Sequence, residues 1–263
     1  MTLVRSESGR IWRLTLNRPD ARNAVSSLML EELTRALGDA AVDPEARVVL
    51  LSGEGPDFCA GADLGELSEA ARGPSGMDYT VPLAEFLSAV VDHPLPVVAA
   101  IHGAALGAGC QISVACDLAI AATDARLGIP SSRLGVMIGF ENVERLVLAV
   151  GPKRAAEMLL TGRELSGEEA VNWGLINEAV PRTALQDRAH KLAEDIALGA
   201  PLSVRASKRG LRAVLAKLSV DRETEGFRLT DFDMMAADAL ASDDLKEGIR
   251  AFKERRRPEF RGK

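Results

Sequence analysis

The apolar positions in the first half of the chain predict short buried strands and a long helix. Residues 11–16, IWRLTL, alternate apolar and polar side chains, as a half-buried strand does. Residues 27–41 carry apolar side chains at helical spacing, and we place Leu28, Leu33 and Leu37 on one buried stripe of that helix. Other short apolar runs predict buried strands: residues 47–53, 97–103 and 117–122. This part of the chain is therefore predicted to build a sheet.

Most of the remaining segments predict helices. Helical spacing recurs in several ranges: residues 80–93, 108–115, 141–151, 153–162, 183–199, 201–216, 221–239 and 243–257. We expect residues 72–77 to form a mobile linker and residues 125–139 to be irregular. Because the strands come early and the helices late, the sequence predicts an α/β body, residues 1–199, and a helical C-terminal region, residues 200–263.

Composition narrows the class of protein. The 263 residues are 47% hydrophobic and 27% charged, as is usual for a globular protein. The net charge of −6 supplies no overall basic field, so we expect no nucleic-acid partner. The first twenty residues carry charges every few positions and contain no apolar run long enough for a signal peptide or a membrane span. We therefore expect a cytoplasmic protein without a membrane partner.

Cysteine and histidine give no sign of a redox or metal centre. The three cysteines form no CxxC pair and lie in alanine-rich surroundings, so we interpret them as reduced core residues: Cys59, Cys110 and Cys116. The three histidines show no ligand spacing: His93, His102 and His190. No metal site is predicted.

Two loops rich in glycine and alanine, residues 58–64 and 103–109, are the distinctive feature of the sequence. The second, GAALGAG, lies between a predicted strand and a predicted helix, which is how short-chain dehydrogenases bind a pyrophosphate. That fold would place the loop after its first strand and would need a Tyr-x-x-x-Lys pair. The single tyrosine, Tyr79, is followed four residues later by Leu83, which argues against a dehydrogenase.

Five segments resemble, in order and at matching spacing over essentially the whole chain, the enoyl-CoA hydratase/isomerase (crotonase) superfamily. They are RPDARNAV (18–25), FCAGADL (58–64), PVVAAIHGAALGAGCQISVACDLAIAA (96–122), ARLGIPSSRLGV (125–136) and RRRPEF (255–260). The resemblance implies an α/β fold, a spiral of ββα turns with a helical C-terminal trimerisation region. It also implies a site for acyl-CoA thioesters.

By this resemblance, the two loops offer the backbone N–H groups of Ala62 and Ala108 to the thioester oxygen. The second donor usually falls on glycine in this family, but alanine retains the N–H group. Small side chains let the thioester approach the main chain closely. Such a pair of donors would stabilise an enolate oxyanion. We expect the neighbouring Asp63 to cap a helix.

The acid and base of the family's hydratases are replaced in this chain. Two glutamates of those enzymes correspond to Gln111 and Ser131, and neither side chain substitutes for a carboxylate in acid–base catalysis. A displaced carboxylate could be Glu141, although isomerases that use an acid from this segment have it two residues earlier, at Gly139. The alternative for Glu141 is a first-turn helix acid that pairs with Arg145.

The resemblance also implies the residues that bind coenzyme A and substrate: Arg22, Ala24, Ala60, Asp63, Leu64 and, near the C-terminus, Phe260. The arginines 255–257 would add cations for the phosphates, or form a solvated face. No separate cofactor is expected, because coenzyme A is part of the substrate.

Two functions remain open at this point. The first is a crotonase-superfamily enzyme, a lyase or isomerase, that stabilises a thioester enolate without efficient hydration. The alternative is a protein that binds acyl-CoA without turnover. In either case we expect association of subunits, because the C-terminal region carries exposed-looking apolar positions: Phe227, Leu229, Phe232, Met234 and Met235. The resemblance implies that the assembly is a homotrimer or a homohexamer.

Overall fold

The computed structural model describes residues 3–70, 80–218, 223–224 and 227–262. The expected linker, residues 72–77, lies outside these ranges. The strands within them are β1 (Val4–Glu7), β2 (Ile11–Leu16), β3 (Val48–Gly53), β4 (Val97–Ile101), β5 (Ala104–Leu106), β6 (Leu118–Ala122), β7 (Arg126–Gly128), β8 (Glu164–Ser166), β9 (Glu178–Val180), β10 (Glu223–Thr224) and β11 (Phe227–Arg228).

The helices in the same ranges are α1 (Ser27–Val42), α2 (Leu64–Ala70), α3 (Thr80–Asp92), α4 (Ala108–Ala115), α5 (Ser131–Leu134), α6 (Phe140–Val150), α7 (Pro152–Thr161), α8 (Gly167–Trp173), α9 (Leu185–Leu198), α10 (Pro201–Leu218), α11 (Leu229–Ala241) and α12 (Asp243–Lys253). None of these described helices is long and apolar enough to cross a membrane.

Two main sheets organise the body. In the described part of the chain, six strands form a large sheet in the order β1-β2-β3-β4-β6-β9, and β5, β7 and β8 form a smaller one. The large sheet is parallel except for its first pair, β1 and β2. Its central strand β4 is buried along its whole length, as a strand covered on both faces must be.

The chain repeats one unit as it moves along the large sheet. A strand of the large sheet is followed by a strand of the small sheet and then by a helix: β4, β5 and α4, then β6, β7 and α5. The preceding turn runs from β3 to α2 and touches the small sheet through a single bridge between Cys59 and Ala105. This arrangement is the expected ββα spiral.

Helix α1 shows where the predicted pattern held and where it failed. The Ser26 hydroxyl caps its first turn by accepting from the Met29 N–H at 3.3 Å. Leu33 and Leu37 are buried as expected, but Leu28 is 55% exposed, so its place on the stripe was wrong. Leu28 and Leu33 are five positions apart, which turns the helix about 140° beyond one full turn.

Several short strands were missed. Residues 125–139, expected to be irregular, contain β7 and α5, and the region between α7 and α9 contains β8 and β9. These strands are three residues long, which is too short for alternation to be recognised. The C-terminal region likewise contains the short β10–β11 pair between its helices.

The C-terminal helices contact the body through α10 and through the pair α11 and α12. Lys208 of α10 is buried and donates from Nζ to Asp117 Oδ2 at 2.6 Å and to the Leu95 carbonyl at 2.9 Å. Burial lowers the pKa of Lys208, and the Asp117 carboxylate opposes that shift. At the other end, α11 and α12 pack on α2 through a small apolar cluster: Leu67, Leu240, Leu245 and Ile249. The boundary at residue 199 stays a prediction.

Candidate active site

The first glycine-rich loop is held by residue 25 so that one N–H group stays unpaired. The Val25 N–H donates to the Gly61 carbonyl at 2.8 Å, and the Asp63 N–H donates to the Val25 carbonyl at 2.9 Å. In this parallel bridge, the peptide groups of Ala62 point away from Val25. The Ala62 N–H has no hydrogen-bond partner among the residues that the structure describes.

The second loop supplies a helix N-terminus. Gly107 has a φ of 55°, a conformation that glycine adopts without strain, and α4 begins at Ala108. The first hydrogen bond of the helix runs from the Gln111 N–H to the Gly107 carbonyl at 3.0 Å. The Ala108 N–H therefore belongs to the first turn, which has no intrahelical acceptor, and the helix dipole makes it a better donor.

The two loops lie against each other. The Cys59 N–H donates to the Ala104 carbonyl at 2.9 Å, and the Leu106 N–H donates back to the Cys59 carbonyl at 3.0 Å. Gly109 is required by this contact, because a Cβ there would collide with the Cys59 carbonyl. The structure thus brings the loops of Ala62 and Ala108 together, and the binding of one oxygen by both N–H groups stays a prediction.

Gln111 is the polar side chain next to the second donor. It lies three positions after Ala108, at the end of the first turn of α4, and is 7% exposed. Its side-chain amide makes no hydrogen bond within the described ranges. A nearly buried amide without a partner among the described residues is suited to binding a polar group of a ligand or a water.

Ser131 is the first residue of α5 and is half-buried. Its segment is held in place by α12, since a Cβ at Gly248 would collide with the carbonyl of Leu134. No hydrogen bond joins the side chains of Ser131 and Gln111 in the described residues. The C-terminal helix therefore supports a segment of the expected site.

Glu141 lies in the first turn of α6 and is exposed. The expected ion pair with Arg145 is wrong: Arg145 donates from Nη1 to Asn142 Oδ1 at 2.8 Å. Burial lowers the pKa of Arg145, while the nearby charge of Glu141 opposes the shift. The Glu141 carboxylate remains outside any ion pair in the described part of the molecule.

The residues expected to bind coenzyme A lie in two parts of the structure, along the first loop and near the C-terminal helix α12. The Ala60 N–H donates to the Arg22 carbonyl at 3.0 Å, so the segment of Arg22 and Ala24 lies along the first loop. Leu64 packs on the small apolar cluster beside α12. Phe260 lies beyond α12 and is half-exposed.

Asp63 caps α2, as expected. Its Oδ1 accepts from the Gly65 N–H at 2.8 Å, and its Oδ2 accepts from Arg18 Nη1 at 2.6 Å. The partner Arg18 was missed by the sequence analysis, as was Asp57, which binds the guanidinium of Arg22. The sequence feature that could have indicated Asp57 is its charge directly before the apolar loop.

Among the C-terminal arginines, Arg256 is committed to protein contacts. It binds Glu247 and Glu254, and Glu247 also binds Arg250 and accepts from the Glu259 N–H. These contacts hold the pKa of Glu247 well below its ordinary value, with the Arg256 hydrogen bond as the largest cause. Of the arginines 255–257, the middle one thus supports the C-terminal fold.

Two of the thiols and two of the imidazoles are buried and have structural roles. Burial raises the pKa of Cys59 and of Cys110 to about 12, and both are free cysteines. Burial also lowers the pKa of His93 and of His102, whose rings are held by backbone carbonyls. Among the described residues, no group of three or more His, Cys, Asp or Glu is placed to hold a metal ion.

Comparison with known proteins decides the family. Residues 6–263 match the family model described as enoyl-CoA hydratase/isomerase. The chain belongs to this family. Its members process acyl-CoA thioesters, and this protein is an enzyme of the lyase or isomerase type.

Individual relatives of this enoyl-CoA hydratase/isomerase family protein cover the whole chain. It is 35% identical over 266 residues to the 2,3-dehydroadipyl-CoA hydratase of Escherichia coli, with 99% of each chain covered. It is 38% identical over 260 residues to a putative enoyl-CoA hydratase of Thermus thermophilus, covering 98% of this chain and 100% of that one. A solved methylmalonyl-CoA decarboxylase in complex with 2-nitronate-propionyl-CoA matches with a TM-score of 0.88 at 25% identity, covering 100% and 99% of the two chains.

Proposed function

We propose that this family member stabilises a thioester enolate between the N–H groups of Ala62 and Ala108, and that it hydrates 2-enoyl-CoA poorly. The observation that carries the proposal is a pair of N–H groups, on two adjoining loops, that have no hydrogen-bond partner in the described part of the chain. Gln111 lies in the first turn of the helix that begins at the second donor, and by the family resemblance it corresponds to a glutamate of the hydratases. In this proposal the two N–H donors, which together form the oxyanion hole, are retained, while the acid–base pair is not.

The chemistry follows from what each group does. Two fixed donors stabilise the negative charge that develops on the thioester oxygen, and removing one such donor typically costs about 2.7–4 kcal/mol of barrier. The Gln111 amide donates and accepts hydrogen bonds but has no usable pKa, so it orients a water or a polar substrate group. We assign the same orienting role to Ser131, and a candidate proton-transfer role to Glu141.

A route to the enolate that needs no base is loss of carbon dioxide from a 2-carboxyacyl-CoA. The bond between the α-carbon and the carboxylate breaks, its electron pair moves into the thioester to form the enolate, and water then protonates the α-carbon. The structural similarity to a methylmalonyl-CoA decarboxylase supports including such substrates among the candidates. Such a route would use the hole alone.

The test combines proton exchange with a substrate panel. We expect exchange of the α-protons of a saturated acyl-CoA in D₂O, detected by mass spectrometry, together with turnover of at least one member of a panel of 2-enoyl, 3-enoyl and 2-carboxyacyl thioesters. Thermal stabilisation by the thioesters without exchange and without product would overturn the enzymatic proposal and leave an acyl-CoA-binding protein. Equal or greater stabilisation by NADPH would overturn the ligand class as well.

We also propose that the protein assembles as a homotrimer or homohexamer. Helix α10 exposes apolar side chains at positions i, i+3 and i+7, Leu211, Val214 and Leu218, and α11 exposes Met234 and Met235. Contiguous apolar faces of this kind are usually covered by another subunit. The side chains of the other three apolar positions expected to contribute, Phe227, Leu229 and Phe232, lie outside the described part of the chain.

A further inference from the structure

Asp57 is a buried carboxylate that the proposed chemistry does not use. It lies in the turn between β3 and the first loop and is 6% exposed. Its Oδ2 accepts from Arg22 Nε at 2.6 Å, and its Oδ1 accepts from Arg22 Nη2 at 3.2 Å. A two-pronged bond of this kind fixes both side chains in one geometry.

The same carboxylate reaches the second loop. Oδ1 of Asp57 also accepts from the backbone N–H of Ala104 at 2.7 Å, four residues before the donor Ala108. The approach is so close that a Cβ at Gly103 would lie 2.6 Å from this oxygen. Asp57 therefore holds the strand that leads directly into the second donor.

Arg22 links Asp57 to the first loop. Its guanidinium is fixed by Asp57, and its carbonyl accepts from the Ala60 N–H at 3.0 Å, two residues before Ala62. Arg22 and Asn23 both have positive φ, 53° and 54°, a conformation that asparagine tolerates and that arginine adopts where neighbouring contacts hold it. The Asn23 amide donates to the Asp57 carbonyl at 2.8 Å and so adds one of those contacts.

The negative charge of Asp57 strengthens its hydrogen bonds to Arg22 and Ala104. Burial opposes ionisation of Asp57, but the bonds from Arg22 and from the Ala104 N–H outweigh it and hold the pKa of Asp57 below its ordinary value. The carboxylate is thus ionised at neutral pH, and hydrogen bonds to an ionised group are about twice as strong as neutral ones.

We infer that Asp57 is a positioning residue: through Arg22 and Ala104 it sets the separation of the Ala62 and Ala108 N–H groups and thereby the strength with which they bind the thioester oxygen. The inference rests on the proposed oxyanion hole. It also changes the role of Arg22, whose guanidinium is committed to Asp57, so its contribution to coenzyme A binding is through the backbone of its segment.

The test compares ligands that differ in the thioester oxygen. Calorimetry of the full-length protein gives Kd for a saturated acyl-CoA and for the matched CoA thioether, which lacks the carbonyl. The ratio of the two affinities reports the hole without requiring turnover. We expect Asp57→Asn and Arg22→Met to bring this ratio toward one while Kd for the thioether stays within about twofold.

We also expect the α-proton exchange rate of both variants at saturation to fall by about 10²-fold, the effect of displacing a catalytic group by about 1 Å. Asp20→Asn changes an exposed carboxylate in the same segment and should alter neither.

The outcomes separate this inference from the function on which it rests. If wild-type protein binds the thioester no better than the thioether, the oxyanion hole itself is refuted. If wild type prefers the thioester and both variants keep that preference and the exchange rate, the positioning role is refuted alone. A merely structural role would weaken both ligands equally, and that result also overturns the inference. Asp57→Ala adds a stronger perturbation, and if it does not fold the two milder variants decide the matter.

Discussion

Arg18 donates a hydrogen bond from Nη1 to Oδ2 of Asp63 at 2.6 Å, across 45 positions of sequence. Asp63 meanwhile caps α2 with its other oxygen. One carboxylate thus joins the segment of residues 18–25 to the helix that follows the first donor. Burial opposes ionisation of Asp63, but Arg18 and the capped N–H groups outweigh it and lower its pKa.

This relationship predicts a pH-dependent stability. Because the folded pKa of Asp63 lies below its ordinary value of 3.8, its contribution is fully present above that value and is lost as the pH falls through the folded pKa. Asp63→Asn keeps a capping oxygen, so its free energy of unfolding should fall less between pH 5 and pH 3 than that of wild type. Asp63→Ala should cost about 1 kcal/mol for the cap alone. Urea unfolding across this pH range measures both, and identical pH profiles for wild type and Asp63→Asn would contradict the assignment.

A second prediction concerns the missing acids. Wild-type protein should hydrate crotonyl-CoA poorly, because each positioned acid or base contributes about 10² to 10⁴ in rate. Gln111→Glu combined with Ser131→Glu should raise hydration by at least about 10²-fold, while either change alone should do little, since both groups act on one water. Absorbance of the enoyl thioester follows the reaction.

The double variant is informative once it is shown to fold and to bind crotonyl-CoA, which circular dichroism and calorimetry establish. A wild-type hydration rate that the double variant does not exceed would show that these two positions are not the lost acids.

A third prediction addresses Glu141. If its exposed carboxylate transfers the proton, Glu141→Gln should reduce turnover of whichever thioester wild type converts by about 10²-fold or more, with little change in Kd. Glu168→Gln is the matched control, because Glu168 is likewise an exposed acid in the first turn of a helix, α8. Equal kcat values for wild type and Glu141→Gln would remove Glu141 from the mechanism.

The exposed stripe of α10 predicts assembly. Light scattering at micromolar concentration should give the mass of a trimer or hexamer. Leu211→Glu combined with Val214→Glu should shift the protein toward monomer, because charges would be placed in the proposed interface. Leu160→Glu, at an exposed leucine of α7 outside the stripe, should leave the mass unchanged. A monomeric mass for wild type would contradict the proposal.

Lys208 provides a further test of how α10 is attached. Lys208→Met removes one partner of a buried ion pair and should lower the free energy of unfolding by about 3 kcal/mol. This value is near the low end for such pairs, because Asp117 Oδ2 still accepts a hydrogen bond from the Val97 N–H at 2.7 Å. Adding Asp117→Asn should recover part of this loss. Arg209→Met, at the exposed neighbouring position, should have little effect. Urea unfolding of wild type and the three variants checks the expectation, and an unchanged stability of Lys208→Met would refute it.

The parts predicted correctly from sequence share a local origin. Strand β2 alternates over six residues, β4 is apolar throughout, and Asp63 stands directly before the helix that it caps, so each pattern lies within a few neighbouring positions. The two glycine-rich loops were likewise visible, because small residues cluster there. The resemblance to the family rested on the order and spacing of such local segments, and the expected ββα spiral was what that resemblance implied.

Only the tertiary structure decided which side chains meet across the chain. Asp57 and Arg22 are 35 positions apart, and Asp57 and Ala104 are 47 apart, so no local periodicity links them. The three-residue strands β7 and β8 exist because their backbone groups pair with each other, not because of a pattern in either segment. The sequence by itself determined four strands of the large sheet, β2, β3, β4 and β6, together with the two loops and the family. The fold determined that the Arg22 guanidinium binds Asp57. The spiral brings the turns of Arg22, Asp57 and Ala104 together, and a buried carboxylate requires a charged partner.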